Sequence, residues 1–132
     1  MREIKYRAWD KKAREMYQVN ELGVGSASYE QYAVNVYQQP ETGFSKFYPG
    51  VVLVMQYTGY KDRNETEIYE GDILKYENPK YPNHKPYVIK WSDDDCGFEC
   101  VNSENFMLPS VWGEMEIIGN IYDNPELLKG VD

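Results

Sequence analysis

Apolar and polar positions alternate over residues 2–9, with Ile4, Tyr6 and Ala8 on one face and Glu3, Lys5 and Arg7 on the other. A period of two predicts a half-buried β-strand. Asp10-Lys11-Lys12-Ala13-Arg14 reads as a turn, and Met16-Tyr17-Gln18-Val19 returns as its hairpin partner. Residues 20–50 carry a weaker pattern. Gly23, Gly25, Ser26 and Ser28 loosen the chain, and Pro40-Glu41-Thr42-Gly43 makes a further turn. Ser28 followed by Gln31 fits a capping box for a short helix, while Ala33-Val34-Asn35-Val36-Tyr37 fits a strand. The strand is the preferred reading of that segment.

Val51-Val52-Leu53-Val54-Met55-Gln56-Tyr57 is nearly all apolar and rich in β-branched residues, which predicts a strand through the centre of a sheet. Asp62-Arg63-Asn64 is a turn. Glu67-Ile68-Tyr69 then leads through Glu70-Gly71-Asp72 into Ile73-Leu74-Lys75-Tyr76. A Gly-Asp pair ahead of an alternating strand is a recurrent opening of SH3-like barrels: the glycine allows a tight turn and the aspartate ties down the loop backbone. Tyr87–Trp91 and Gly97–Val101 form a hairpin across an acidic tip. Residues 102–113 read as a looser link, and Glu114–Tyr122 alternates as the last strand. Asn124-Pro125-Glu126 marks a helix start, with Asn as cap and Pro at the first position. Four strands and a terminal helical turn over about 60 residues suit a small barrel.

Composition narrows the chemistry more than it defines it. The chain has 132 residues, enough for one domain with a real core, and 15% aromatic residues argue against disorder. No run approaches the length of a membrane span, and MREIKYRAWD carries charge where a signal peptide needs an apolar stretch. The expected location is the cytoplasm. One histidine, His84, and two cysteines, Cys96 and Cys100, fall short of the four ligands of a structural zinc site. Strand geometry holds the two cysteines about 13 Å apart, so reduced thiols are expected, with a disulfide possible only through a bulge or turn at Gly97. His84 lies in a proline-punctuated polar loop, a poor setting for a general base. Asp93-Asp94-Asp95, or Glu70 with Asp72, could hold a hard cation, but an acidic hairpin tip explains the triplet more simply. The 13 tyrosines and three tryptophans could serve as stacking platforms, although many stand on predicted strands and read first as structural. No catalytic, cofactor-binding or metal-binding residue is assigned.

The net charge of -8 is unevenly placed. Residues 1–14 carry a net +4 and residues 91–132 a net -9. An acidic protein repels phosphate backbones, which disfavours nucleic acid as a partner. Arg2, Lys5 and Arg7, with Trp9 beside them, are therefore the candidate partner-binding residues: a local basic strip suited to the acidic half of the same or another subunit. The alternative is a nucleic-acid-associated protein using the same strip.

Four segments, in order, resemble the YopX family: MREIKYRAWD; Leu53–Gly59 with Asp62; Glu67–Ile73; and Ile118-Gly119-Asn120-Ile121-Tyr122-Asp123-Asn124-Pro125-Glu126-Leu127-Leu128. They cover 36 of the 132 residues. The family commonly has an Asn-Gly turn where this chain has Asn64-Glu65, so this loop is expected to be longer or of another type. Residues 20–50 are unmatched. The resemblance implies a mainly β protein (α+β at most), in which an irregular N-terminal β-sheet region packs with a C-terminal SH3-like small barrel and a short helical turn. It implies one domain over 1–132, with regions 1–60 and 61–132, and self-association. It further implies a phage or prophage origin, and supplies no reaction and no cofactor. The expected function is that of a non-enzymatic accessory module binding itself, or a phage or host protein, in the cytoplasm of a bacterial host.

Overall fold

The computed structural model describes residues 3–24, 32–39, 44–49, 52–77, 80 and 85–129. Arg2, the Ser28–Gln31 segment, the turn at 40–43 and His84 lie outside the described residues. The protein is mainly β and divides into two compact units, Ile4–Gln56 and Tyr57–Asp132, the latter joined by Met1–Glu3.

In the first unit β1 (Tyr6–Asp10), β2 (Glu15–Val24), β3 (Tyr32–Gln39), β4 (Phe44–Pro49) and the start of β5 (Val52–Lys61) form an antiparallel sheet ordered β4-β3-β2-β1-β5. The segment at 33–37 is thus a strand, as preferred. β1 begins at Tyr6, and Ile4, expected on the inner face, is 68% exposed ahead of it. Asp10 closes the β1–β2 turn from a buried position. Its Oδ1 accepts the N–H of Lys12 at 2.9 Å and of Ala13 at 3.0 Å, and its carbonyl accepts the N–H of Arg14 at 2.7 Å.

In the second unit the end of β5 pairs with β6 (Glu67–Tyr69). β7 (Asp72–Lys75), β8 (Tyr87–Ser92), β9 (Gly97–Val101), β10 (Phe106–Met107) and β11 (Glu116–Asn120) form an antiparallel sheet ordered β10-β9-β8-β7-β11, curled into a half-barrel. Its core is Ile68, Leu74, Tyr87, Ile89, Cys100, Trp112 and Met115, with Tyr76, Phe98, Met107 and Ile117 packed against it. The Gly-Asp opening works as the sequence suggests. Gly71 has φ 90°, a conformation that L side chains avoid, and it donates to Ile89 O at 2.8 Å and accepts from Ile121 N at 2.9 Å. The buried Asp72 carboxylate accepts the Tyr69 N–H at 2.8 Å.

Two features, at 102–113 and at the terminal turn, depart from the sequence reading. The link at 102–113 contains a helical turn, α1 (Pro109–Trp112), with Pro at its start and Trp112 buried. The Asn64-Glu65 loop, by contrast, is longer than a two-residue turn, as expected: it spans five residues between the paired Lys61 and Glu67, and Glu65 takes φ 64° without a glycine. The terminal Pro125–Leu128 turn is a 3-10 helix whose Asn124 makes no side-chain cap. Asn124 Oδ1 instead accepts the Asn120 N–H at 3.2 Å, directly against Gly119, where a Cβ would stand 2.4 Å from that oxygen. The side chain is committed to holding the bulge in β11, and so is withdrawn from the helix end.

Candidate functional site

Of the basic strip, Arg7 and Trp9 lie on β1, an interior strand, and Lys5 lies just ahead of it. β1 is hydrogen-bonded to β2 on one side and to β5 on the other, so no ladder group remains for an added strand. Lys5 and Arg7 are half-buried, and Trp9 is 5% exposed. Among the described residues of this unit, Lys11, Lys12 and Arg14 at the adjoining turn are exposed.

The acidic triplet sits at the tip of the β8–β9 hairpin. Asp93 Oδ1 accepts the Trp91 indole N–H at 3.0 Å, and Ser92 Oγ accepts the Asp95 N–H at 3.2 Å. Among the described residues, no three His, Cys, Asp or Glu side chains converge as a cation site. Both cysteines are free thiols, Cys96 exposed at the tip with φ 51° and Cys100 buried on β9. Cys96 thus lies in the turn at positive φ, outside the extended strand geometry assumed for the pair.

A cleft of about 360 Å³ opens beside this hairpin. Its walls include Phe98, Phe106, Met107, Leu108 and Pro109, with Asp95 and Glu99 supplying charge. Two features of the backbone create it. β10 pairs with β9 at Cys100 and Val101, leaving Gly97–Glu99 paired with β8 alone. The chain then turns away into α1, held by the Trp112 indole N–H donated to Met107 O at 2.9 Å. Phe106 is 69% exposed, Leu108 59% and Trp91 46%, and Trp91 packs edge-on against Phe98 with ring centroids 5.1 Å apart. Phe106 and Leu108 stand beside the stretch of β9 that β10 leaves unpaired. The apolar run Phe106-Met107-Leu108-Pro109 was the signal in the sequence. Reading 102–113 as a link hid it.

Beneath the cleft, burial pushes the Cys100 thiol up to about 12. The Tyr87 phenol is also raised, first by burial and then by Cys100 beside it. Both groups stay neutral in the folded protein at a pH where the unfolded chain ionises. Stability from this pair is therefore complete below about pH 9 and is lost as pH rises towards 12, with Cys100 accounting for at most about 4 kcal/mol. Urea melts from pH 8 to 11 should show this decline, and Cys100→Ala should flatten it. One thiol, Cys96, should react with a disulfide reagent in the native protein and two in denaturant. Equal native reactivity of both thiols contradicts the burial.

No helix among the described residues is long and apolar enough to cross a membrane. The family model described as "YopX protein" matches residues 5–129. Among solved structures, protein EF1440 from Enterococcus faecalis is similar over 97% of this chain and 99% of its own, at 30% identity and a TM-score of 0.65. Protein yopX from Bacillus subtilis is similar over 94% of this chain and 97% of its own, at 22% identity and a TM-score of 0.60, a likeness of fold. A search of the curated proteins returns no match.

Proposed function

The chain belongs to the YopX family, and on that premise we propose that it is a phage- or prophage-encoded, non-enzymatic accessory module that binds protein, itself included, in the cytoplasm of its bacterial host. The observation that carries this reading is the exposed aromatic cleft on the second unit, with Phe106 and Leu108 exposed in its wall and the exposed Trp91 packed on the lining Phe98. Exposed rings around a cleft supply the central contacts of protein interfaces. The acidic neighbours Asp95 and Glu99 repel phosphate, which favours a protein over a nucleic acid. The buried carboxylates support a structural role for the acids nearest the core. Asp62 and Asp72 each accept main-chain N–H groups, and Asp72 is already engaged where a cation site with Glu70 would need it.

The test is capture from nuclease-treated host lysate by the tagged chain and by a Phe106→Ser/Leu108→Ser variant. A near-stoichiometric protein should be retained by the wild type and reduced at least tenfold in the variant, with the melting temperature little changed. Undiminished capture by the folded variant, or recovery of the bait alone from both, contradicts this use of the cleft.

A further inference from the structure

Resting on the binding reading above, we propose that the cleft recognises a cationic partner segment: an exposed stretch of another protein whose lysine or arginine side chains enter between the rings and the carboxylates. The cleft combines two kinds of wall. Phe98 and Phe106, with Trp91 packed on Phe98, present aromatic surface, and Asp95 and Glu99 present negative charge. Asp93 and Asp94 extend that charge along the exposed hairpin tip.

Lysine and arginine fit both walls at once. Their methylene stems cover apolar surface while the charged head reaches outward. The head is attracted to ring faces through the ring quadrupole, and to carboxylates by charge-assisted hydrogen bonds. Other occupants meet a specific cost. An anionic segment meets like charge, and a wholly apolar one desolvates Asp95 and Glu99 without pairing them. Two clefts facing each other bring two acidic tips together.

The walls are also held in place before binding, which limits the ordering cost of association. Asp93 is fixed by the Trp91 indole, and the Asp95 backbone by Ser92 Oγ. The Trp112 indole fixes the Met107 carbonyl behind Phe106. Lys85 is spent on Glu104 at 2.9 Å, and Lys90 stands opposite Glu99 in the hairpin register without closing an ion pair, so Asp94, Asp95 and Glu99 have no salt bridge among the described residues.

The experiment titrates the full chain with a capped heptapeptide carrying two lysines and two arginines around a central leucine. Control peptides carry glutamate or serine in place of the four basic residues. Trp9 and Trp112 are buried, so acrylamide quenching reports mainly on Trp91. The basic peptide should protect Trp91 and bind at least tenfold more tightly than either control. Its affinity should fall about tenfold between 50 and 500 mM NaCl. Asp94→Asn/Asp95→Asn and, separately, Phe106→Ser should each weaken it several-fold to tenfold, with native circular dichroism retained.

Equal binding of the basic and serine peptides, or no effect of the acidic substitutions, overturns the proposal. Lysate capture that still depends on Phe106 and Leu108 would then leave the broader binding reading standing. Self-association of the wild type that is lost in Lys11→Glu/Lys12→Glu/Arg14→Glu, with no peptide binding by that variant's intact cleft, also overturns it in favour of a second copy as occupant.

Discussion

Replacing Asp62 by alanine is expected to remove about 3 kcal/mol of stability, a fall of roughly 10–15 °C in Tm for a chain of this size. The side chain is buried and accepts three main-chain donors. Oδ1 takes the N–H of Asn64 and of Thr66, each at 2.9 Å, and Oδ2 takes the N–H of Ile117 at 3.0 Å, 55 residues away. Around it, Asp62 N donates to Thr66 O and Arg63 N to Met115 O, so the β5–β6 loop is tied to the start of β11 at several points. Alanine leaves three donors to find water. Asn64 and Thr66 are exposed and recover part of the loss, while Ile117 is half-buried and recovers less. Asparagine keeps the Oδ1 contacts but can turn its amide N–H₂ towards the Ile117 N–H, so it should fall between the two, about 1–2 kcal/mol below the wild type. The nearby Arg63–Glu116 pair is partly exposed and contributes far less. Urea denaturation of the three proteins gives the ranking. An alanine variant within 1 kcal/mol of the wild type would show that the loop holds without this carboxylate.

Asp62 also shows which parts of the molecule were legible in the sequence. Its place in a turn was readable from Asp62-Arg63-Asn64. Its bond to Ile117 was not, because nothing in local composition identifies a partner 55 residues away. Where a residue acts on its own loop, the reading held: Gly71 adopts the positive φ expected of it, and Asp72 ties down Tyr69. Where tertiary contacts reassign a side chain, the reading failed. Asn124 has the identity of a helix cap, but Asn120 N claims its oxygen. Val51–Tyr57 reads as a strand through the centre of a sheet, and β5 does pair on both sides, with β1 and β6; along it Met55 and Tyr57 are buried while Val54 ahead of them is exposed. The apolar run therefore behaves as an alternating strand with an apolar outer residue. The cleft was hidden for a related reason. Its walls come from a hairpin tip, a two-residue strand and one turn of helix, none long enough to show a period.

Trp112 connects that cleft to the core, and its substitutions should separate stability from recognition. Trp112→Ala is expected to cost about 3–5 kcal/mol, since it empties a fully buried site and removes an indole donor. The ring packs edge-on to Tyr60 with centroids 5.1 Å apart and belongs to the cluster that includes Leu74, Ile89 and Met115. Trp112→Phe retains an aromatic ring but no N–H, and should cost about 1–2 kcal/mol. Its further effect follows from the lost bond to Met107 O. β10 has two paired residues, so this indole is a substantial part of what fixes Phe106 and Leu108 at the mouth of the cleft. The phenylalanine variant should therefore still unfold cooperatively, at a midpoint lowered by that amount, and yet bind the basic peptide several-fold more weakly. Its response to acidic substitutions at the hairpin tip should be unchanged, because Trp112 acts on the opposite wall. If Trp112→Phe loses stability but binds as tightly as the wild type, β10 is held by its pairing to β9 alone. The turn of helix would then serve the core without shaping the cleft.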